Sequence, residues 1–112
     1  MNDSVKIQDS LASIFEQEGT SLGSEGVDEV ALPLHAAMHA ITILRTYRTA
    51  AKVGEVWEKI GDRFKPTYDG WNFERKAYSS ESEYVEATLD AAEKLVIFYF
   101  SRGGEFYIVF GV

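Results

Sequence analysis

The sequence predicts an α+β domain in which helices pack on one face of a mainly antiparallel, four-stranded sheet. Three observations lead to this fold class: helical apolar stripes early in the chain, a helix-capping sequence at Ser80, and two apolar runs joined by Gly103-Gly104. The 112 residues suit one domain with one core, residues 1–112, with an internal loop at 19–27. The predicted order of elements is α-α-(α)-β-β-α-β-β.

The first helix is predicted over residues 4–18, because Leu11, Ile14 and Phe15 recur at helical spacing. Three glycines and several small polar residues follow, which predicts the loop at 19–27.

A second helical region is predicted across residues 33–64. One apolar stripe runs from Leu34 to Leu44 and another from Val53 to Phe64. Gly54 lies between the two stripes, which predicts either two helices or one bent helix. Pro66 ends this region, because proline is excluded from a helix interior.

Asp69-Gly70 predicts a type I′ turn between strands at 65–68 and 71–78. The alternation of side chains after Trp71 is typical of a half-exposed strand near a sheet edge.

Ser80-Glu81-Ser82-Glu83 is a capping box, which predicts a helix from Glu81 to about Lys94. The stretch from Leu95 to Phe110 is then predicted to form the central hairpin, with its turn at Gly103-Gly104. Its first run is apolar at every position, so we expect this hairpin to be covered on both faces.

Composition excludes several classes of function. The net charge of −7 disfavours nucleic acid and anionic membrane as partners, and the lack of cysteine excludes disulfides and thiolate sites. No apolar run approaches the roughly twenty residues that span a bilayer, and the N-terminus does not resemble a signal peptide. We therefore expect a cytoplasmic protein, without a cofactor.

The predicted helix after Ser80 carries acidic residues on one side and apolar residues on the other. This acidic side can steer association with a basic protein, or serve only as a solvated helix face. Amphipathic rings near the predicted Asp69-Gly70 turn can anchor an interface. The predicted partner-binding residues are Tyr68, Trp71, Glu83, Glu86, Asp90 and Glu93. Trp71 is expected near the surface, and Trp57 in the core.

A basic stripe at Arg45, Arg48 and Lys52 has two interpretations: contact with phosphate or nucleic acid, or ion pairs with the acidic helix or with Glu55. The second is favoured, because no aromatic residue is interleaved with the stripe.

His35 and His39 are spaced as two zinc ligands on a helix would be. Ala36 replaces the glutamate that a zinc protease needs as its general base, so the histidine pair is a weak metal hypothesis.

A small, acidic, cysteine-free and aromatic-rich α+β protein is typical of toxin-neutralising immunity proteins and of phage-encoded inhibitors. The sequence therefore predicts a non-catalytic module that occludes a basic surface of a partner protein. The alternatives are a homodimer joined through the C-terminal hairpin, and a metal-dependent small enzyme that uses His35 and His39.

Overall fold

The computed structural model describes residues 3–27 and 29–111, and in that part of the chain three α-helices pack with a five-stranded antiparallel sheet. The helices are α1 (Asp3–Glu18), α2 (Leu34–Thr46) and α3 (Glu81–Phe100). The strands are β1 (Thr20–Ser21), β2 (Val30–Pro33), β3 (Val53–Ile60), β4 (Arg63–Asn72) and β5 (Glu105–Gly111), in the spatial order β1-β2-β5-β3-β4. The predicted α+β class is confirmed, but the sheet has five strands and not four. None of these helices is long and apolar enough to cross a membrane.

The main core lies between the helices and one face of the sheet. Ile41 of α2 and Leu89 of α3 are almost fully buried there, together with Val56 and Ile108 from neighbouring strands. Each fully buried aliphatic side chain of this kind contributes about 1.5–3 kcal/mol to folding.

The opposite face of the sheet is covered by the segment that follows α1. Leu22 is fully buried there and packs in a second core with Trp57 and Phe64. The predicted loop at 19–27 therefore contains β1 and a short 3₁₀ turn. The prediction that Trp57 is a core residue is confirmed.

Glu25 ties this covering segment to the start of β4. Its carboxylate accepts two hydrogen bonds from the Arg63 guanidinium, at 3.0 and 2.9 Å, and one from the Phe64 amide at 3.0 Å. The hydrogen bond from Arg63, followed by that from Phe64, lowers the pKa of Glu25 to about 2.

The prediction of a helix across 53–64 is wrong, because these residues form β3 and the beginning of β4. Val56 and Trp57 are both buried but belong to the cores on opposite faces of the sheet. A strand that is covered on both faces has apolar residues at consecutive positions, and these residues can match the spacing expected for a helix. Gly61, with a φ of 61°, makes the tight turn that joins the two strands.

The predicted hairpin at 95–110 is also wrong, because its first run is the C-terminal part of α3. No glycine or proline interrupts that run, and Val96 and Tyr99 continue the buried stripe of the helix. β5 is an internal strand that pairs with both β2 and β3. The predicted homodimer loses its basis, since the hairpin and its outer edge are not formed.

The predicted turn at Asp69-Gly70 is wrong as well. β4 continues through it, and Glu55 and Trp57 pair with Gly70 and Pro66, so three residues of β4 lie opposite Val56 alone. This irregularity is a β-bulge at the edge of the sheet.

Candidate protein-binding surface

The four predicted acids all lie on α3 between Glu83 and Glu93, and none of them is buried. The Ser80 side chain accepts a hydrogen bond from the Glu83 amide at 3.1 Å, as the capping box predicted. The Glu83 carboxylate does not return to Ser80 and instead accepts from the Ser79 hydroxyl at 2.7 Å.

The other three acids converge on one arginine of α2. The Arg45 guanidinium lies 3.1 Å from Glu86, 3.3 Å from Asp90 and 3.2 Å from Glu93. Arg45 of the basic stripe therefore forms the ion pairs with the acidic helix that the sequence predicts. These three carboxylates outnumber the one cation that they contact, and each partly exposed pair contributes about 0–1 kcal/mol to stability.

Tyr68 is at the apex of the β4 bulge, and its side chain is 94% exposed. Its φ of 63° lies in the left-handed region, where a bulky residue is an outlier. Backbone strain of this kind costs about 1–3 kcal/mol and persists only where the surrounding structure imposes it.

Hydrogen bonds on both sides of Tyr68 impose that conformation. The Thr67 hydroxyl donates to the Val56 carbonyl oxygen at 2.8 Å, and the Asp69 amide donates to the Thr67 hydroxyl oxygen at 3.1 Å. The Tyr99 hydroxyl of α3 donates to the Asp69 carboxylate at 2.8 Å. Burial, and then this hydrogen bond, raise the pKa of Tyr99.

Trp71 is not near the surface, which corrects the sequence prediction. It is only 7% exposed, and its indole nitrogen donates to the Ala51 carbonyl oxygen at 2.7 Å. The ring packs edge-on against Phe110 and directly beneath Gly54, where a Cβ atom would collide with it. Trp71 therefore supports the bulge from inside.

An open cleft of about 530 Å³ lies beside the bulge, between β3 and β4. Its lining includes Tyr68, Glu55, Asp69 and the residues around Gly70, and no lysine or arginine among the described residues. Gly70 keeps the two strands close, because a Cβ there would collide with the backbone of Gly54. The sequence predicts Tyr68 as a binding residue but not the bulge or the cleft, although glycines within strand-forming residues are typical of a bulge.

The acids of α3 and Tyr68 do not form one continuous cluster. Tyr68 lies next to Asp69, which contacts α3 at Tyr99, whereas Asp90 is nine residues earlier on the helix. At 1.5 Å per residue this corresponds to about 14 Å along the axis. The two features lie toward different ends of α3.

His35 and His39 are both exposed on α2. His35 lies 3.3 Å from the Glu18 carboxylate. Within the described residues, no three His, Asp or Glu side chains are grouped so that they can hold a metal ion. The histidine pair therefore stays a hypothesis without a third ligand.

Most of the chain matches a known protein family. The family model described as Immunity protein 40 (Imm40) matches residues 21–112, which include all the strands from β2 onward, α2 and α3. Neither the curated proteins nor the solved structures gave a significant match.

Proposed function

Because this chain belongs to the immunity protein 40 family, we propose that it neutralises a toxin protein by binding it, without catalysing a reaction. The family match over residues 21–112 is the observation that carries this proposal. The matched residues include both the acids of α3 and the β4 bulge.

Charge supports a toxin with a basic surface. The chain carries a net charge of −7, and on the surface formed by Glu83, Glu86, Asp90 and Glu93 the acids outnumber Arg45, the cation that three of them contact. Such a surface accelerates the encounter with a basic partner, and salt weakens the effect.

Tyr68 supports a short-range contact in the same complex. An exposed aromatic ring on a pinned backbone loses little conformational entropy when a partner buries it, which favours slow dissociation. We propose that the acids of α3 govern the association rate and Tyr68 governs the dissociation rate. Trp71 contributes indirectly, by supporting the bulge.

Capture of the toxin followed by a growth test examines this proposal. The tagged chain is used to isolate its partner from the source organism, and the partner is then expressed in a heterologous host with and without the chain. We expect a protein that arrests growth alone and is tolerated when the chain is co-expressed. A captured protein that is harmless by itself would contradict the proposal.

Self-association is a second candidate, favoured by a different observation. Ile97, Phe98 and Phe100 are each about half exposed or more on the last turns of α3, which is unusual for large apolar residues. Sedimentation at micromolar concentration tests this candidate, with Phe100→Ser as the variant. A monomer that the substitution leaves unchanged would exclude it.

A further inference from the structure

We propose that the cleft beside the β4 bulge binds an arginine or lysine side chain of the toxin, between the Tyr68 ring and the Glu55 carboxylate. This inference rests on the proposed function and specifies which chemistry of the toxin is recognised.

The exposed ring is the first observation. The structure holds Tyr68 in a left-handed conformation through Thr67, Asp69 and Tyr99, yet the ring itself is 94% exposed. A Gly or Asn residue would adopt this backbone with less strain. Strain that presents an aromatic ring to solvent, and that does not bury it, is typical of a binding surface.

The charge of the cleft is the second observation, and it selects the occupant. Glu55 is exposed, and neither Glu55 nor Asp69 makes an ion pair with a lysine or arginine anywhere in the described chain. Asp69 is already committed, because it accepts from Tyr99 and from the Gly70 amide. Glu55 is therefore the carboxylate available to a ligand.

An arginine or lysine side chain complements both groups. Its cation interacts favourably with the face of a tyrosine ring and forms charge-assisted hydrogen bonds with a carboxylate. An acidic or phosphate-bearing ligand would be repelled by the exposed Glu55 side chain.

The position of β4 makes the cleft accessible to a protein. β4 is the terminal strand of the sheet order, so its outer side carries no further strand within residues 3–27 and 29–111. Tyr68 belongs to this terminal strand and is almost fully exposed, so a toxin segment at the edge of the sheet can reach its ring.

A small cationic probe tests the cleft without the toxin. N-acetyl-arginine amide is titrated into isotope-labelled protein at millimolar concentration, with N-acetyl-glutamine amide as the neutral control. We expect the backbone amide signals of Tyr68, Asp69 and Gly70 to shift with the arginine probe only, and Glu55→Gln to reduce these shifts severalfold. No shift, or equal shifts with both probes, would overturn the inference.

The captured toxin provides the second test. Tyr68→Asn removes the ring and introduces a residue that adopts the left-handed backbone readily. We expect this substitution to raise the Kd for the toxin about tenfold or more. Ile60→Asn is the matched control, because Ile60 is an exposed apolar residue at the other end of β3. Equal effects of the two substitutions would contradict the role of Tyr68.

A second pair of substitutions provides the matched control for the charge of Glu55. Glu55→Gln and Glu16→Gln remove the same charge, but Glu16 is an exposed residue of α1. We expect only Glu55→Gln to raise the Kd about tenfold or more. Unaltered affinity of both the Tyr68→Asn and the Glu55→Gln variants would overturn this inference and leave toxin neutralisation intact. If no toxin is captured, the proposed function fails, while the arginine probe still decides whether the cleft binds a cation.

Discussion

Removal of the Tyr99 hydroxyl tests whether α3 holds the β4 bulge in place. The Tyr99→Phe substitution keeps the ring, which packs on Phe106 with ring centroids 4.6 Å apart, and deletes the 2.8 Å hydrogen bond to Asp69. Hydrogen bonds to charged groups contribute about 1.5–3 kcal/mol, whereas neutral ones contribute about 0.5–1.5 kcal/mol. Because Asp69 is partly exposed and recovers some solvation from water, we expect a loss near the lower value, about 1.5 kcal/mol.

The matched control is Tyr84→Phe, also on α3. The Tyr84 hydroxyl donates to the Phe73 carbonyl oxygen at 3.2 Å, a neutral and longer hydrogen bond to a residue just beyond β4. We expect this substitution to cost less, about 0.5–1 kcal/mol.

Urea unfolding followed by circular dichroism measures both losses. With a denaturant slope of roughly 1–1.5 kcal/mol per molar for a chain of this size, Tyr99→Phe should lower the midpoint by about 1 M and Tyr84→Phe by about half as much. Tyr99→Phe should also weaken toxin binding, because Tyr68 is no longer held in place, and Tyr84→Phe should not. Equal changes in midpoint, together with equal changes in affinity, would refute the reasoning.

Three other predictions follow from single contacts. Arg45→Gln should lower the free energy of unfolding by less than about 1 kcal/mol, because the ion pairs of Arg45 are partly exposed. The same substitution should raise the rate of association with the toxin at low salt, as measured by stopped-flow mixing. Arg75→Gln removes an exposed ion pair with the same change in charge and should raise the association rate less. The pKa of Glu25 is about 2 and lies below its ordinary value of 4.5, so the contacts of Glu25 stabilise the fold fully above about pH 4.5. This stabilisation is lost as the pH falls through about 2. Between pH 5 and pH 2, the Tm of the Glu25→Gln variant should therefore fall less than the Tm of the unmodified protein. Gly70→Ala should cost about 1–3 kcal/mol, because its Cβ would meet the β3 backbone, whereas Gly103→Ala, with open space around it, should stay within about 0.5 kcal/mol in the same unfolding assay. An Arg75 effect as large as that of Arg45, a pH profile unchanged by the Glu25 substitution, or a harmless Gly70→Ala would each contradict the corresponding contact.

The sequence predicts a secondary-structure element correctly where a local interaction or a regular apolar spacing determines that element. The helix start at Ser80 followed from its side-chain cap, and the α1 and α2 helices followed from apolar periodicity. Periodicity failed where an element is covered on more than one side. Residues 53–60 are a strand between two cores, and residues 95–100 are a helix end with exposed apolar side chains.

The sequence predicts only part of the candidate surface, because some of its features depend on neighbouring residues and others depend on contacts between residues far apart in the chain. The acids of α3 were visible as a pattern along one helix. Their ion pairs with Arg45 join residues more than forty positions apart, and so depend on the packing of α2 against α3. The sequence predicts Tyr68 as a binding residue from its amphipathic ring, but the left-handed backbone of Tyr68 depends on the register between β3 and β4 and on the contact of Asp69 with Tyr99.

Titration of the toxin's own activity with the purified chain tests the central claim most directly. The account predicts that activity falls in proportion to added chain and is abolished at stoichiometric amounts, and that Tyr68→Asn requires a larger excess. Full toxin activity in the presence of an excess of correctly folded chain would contradict it.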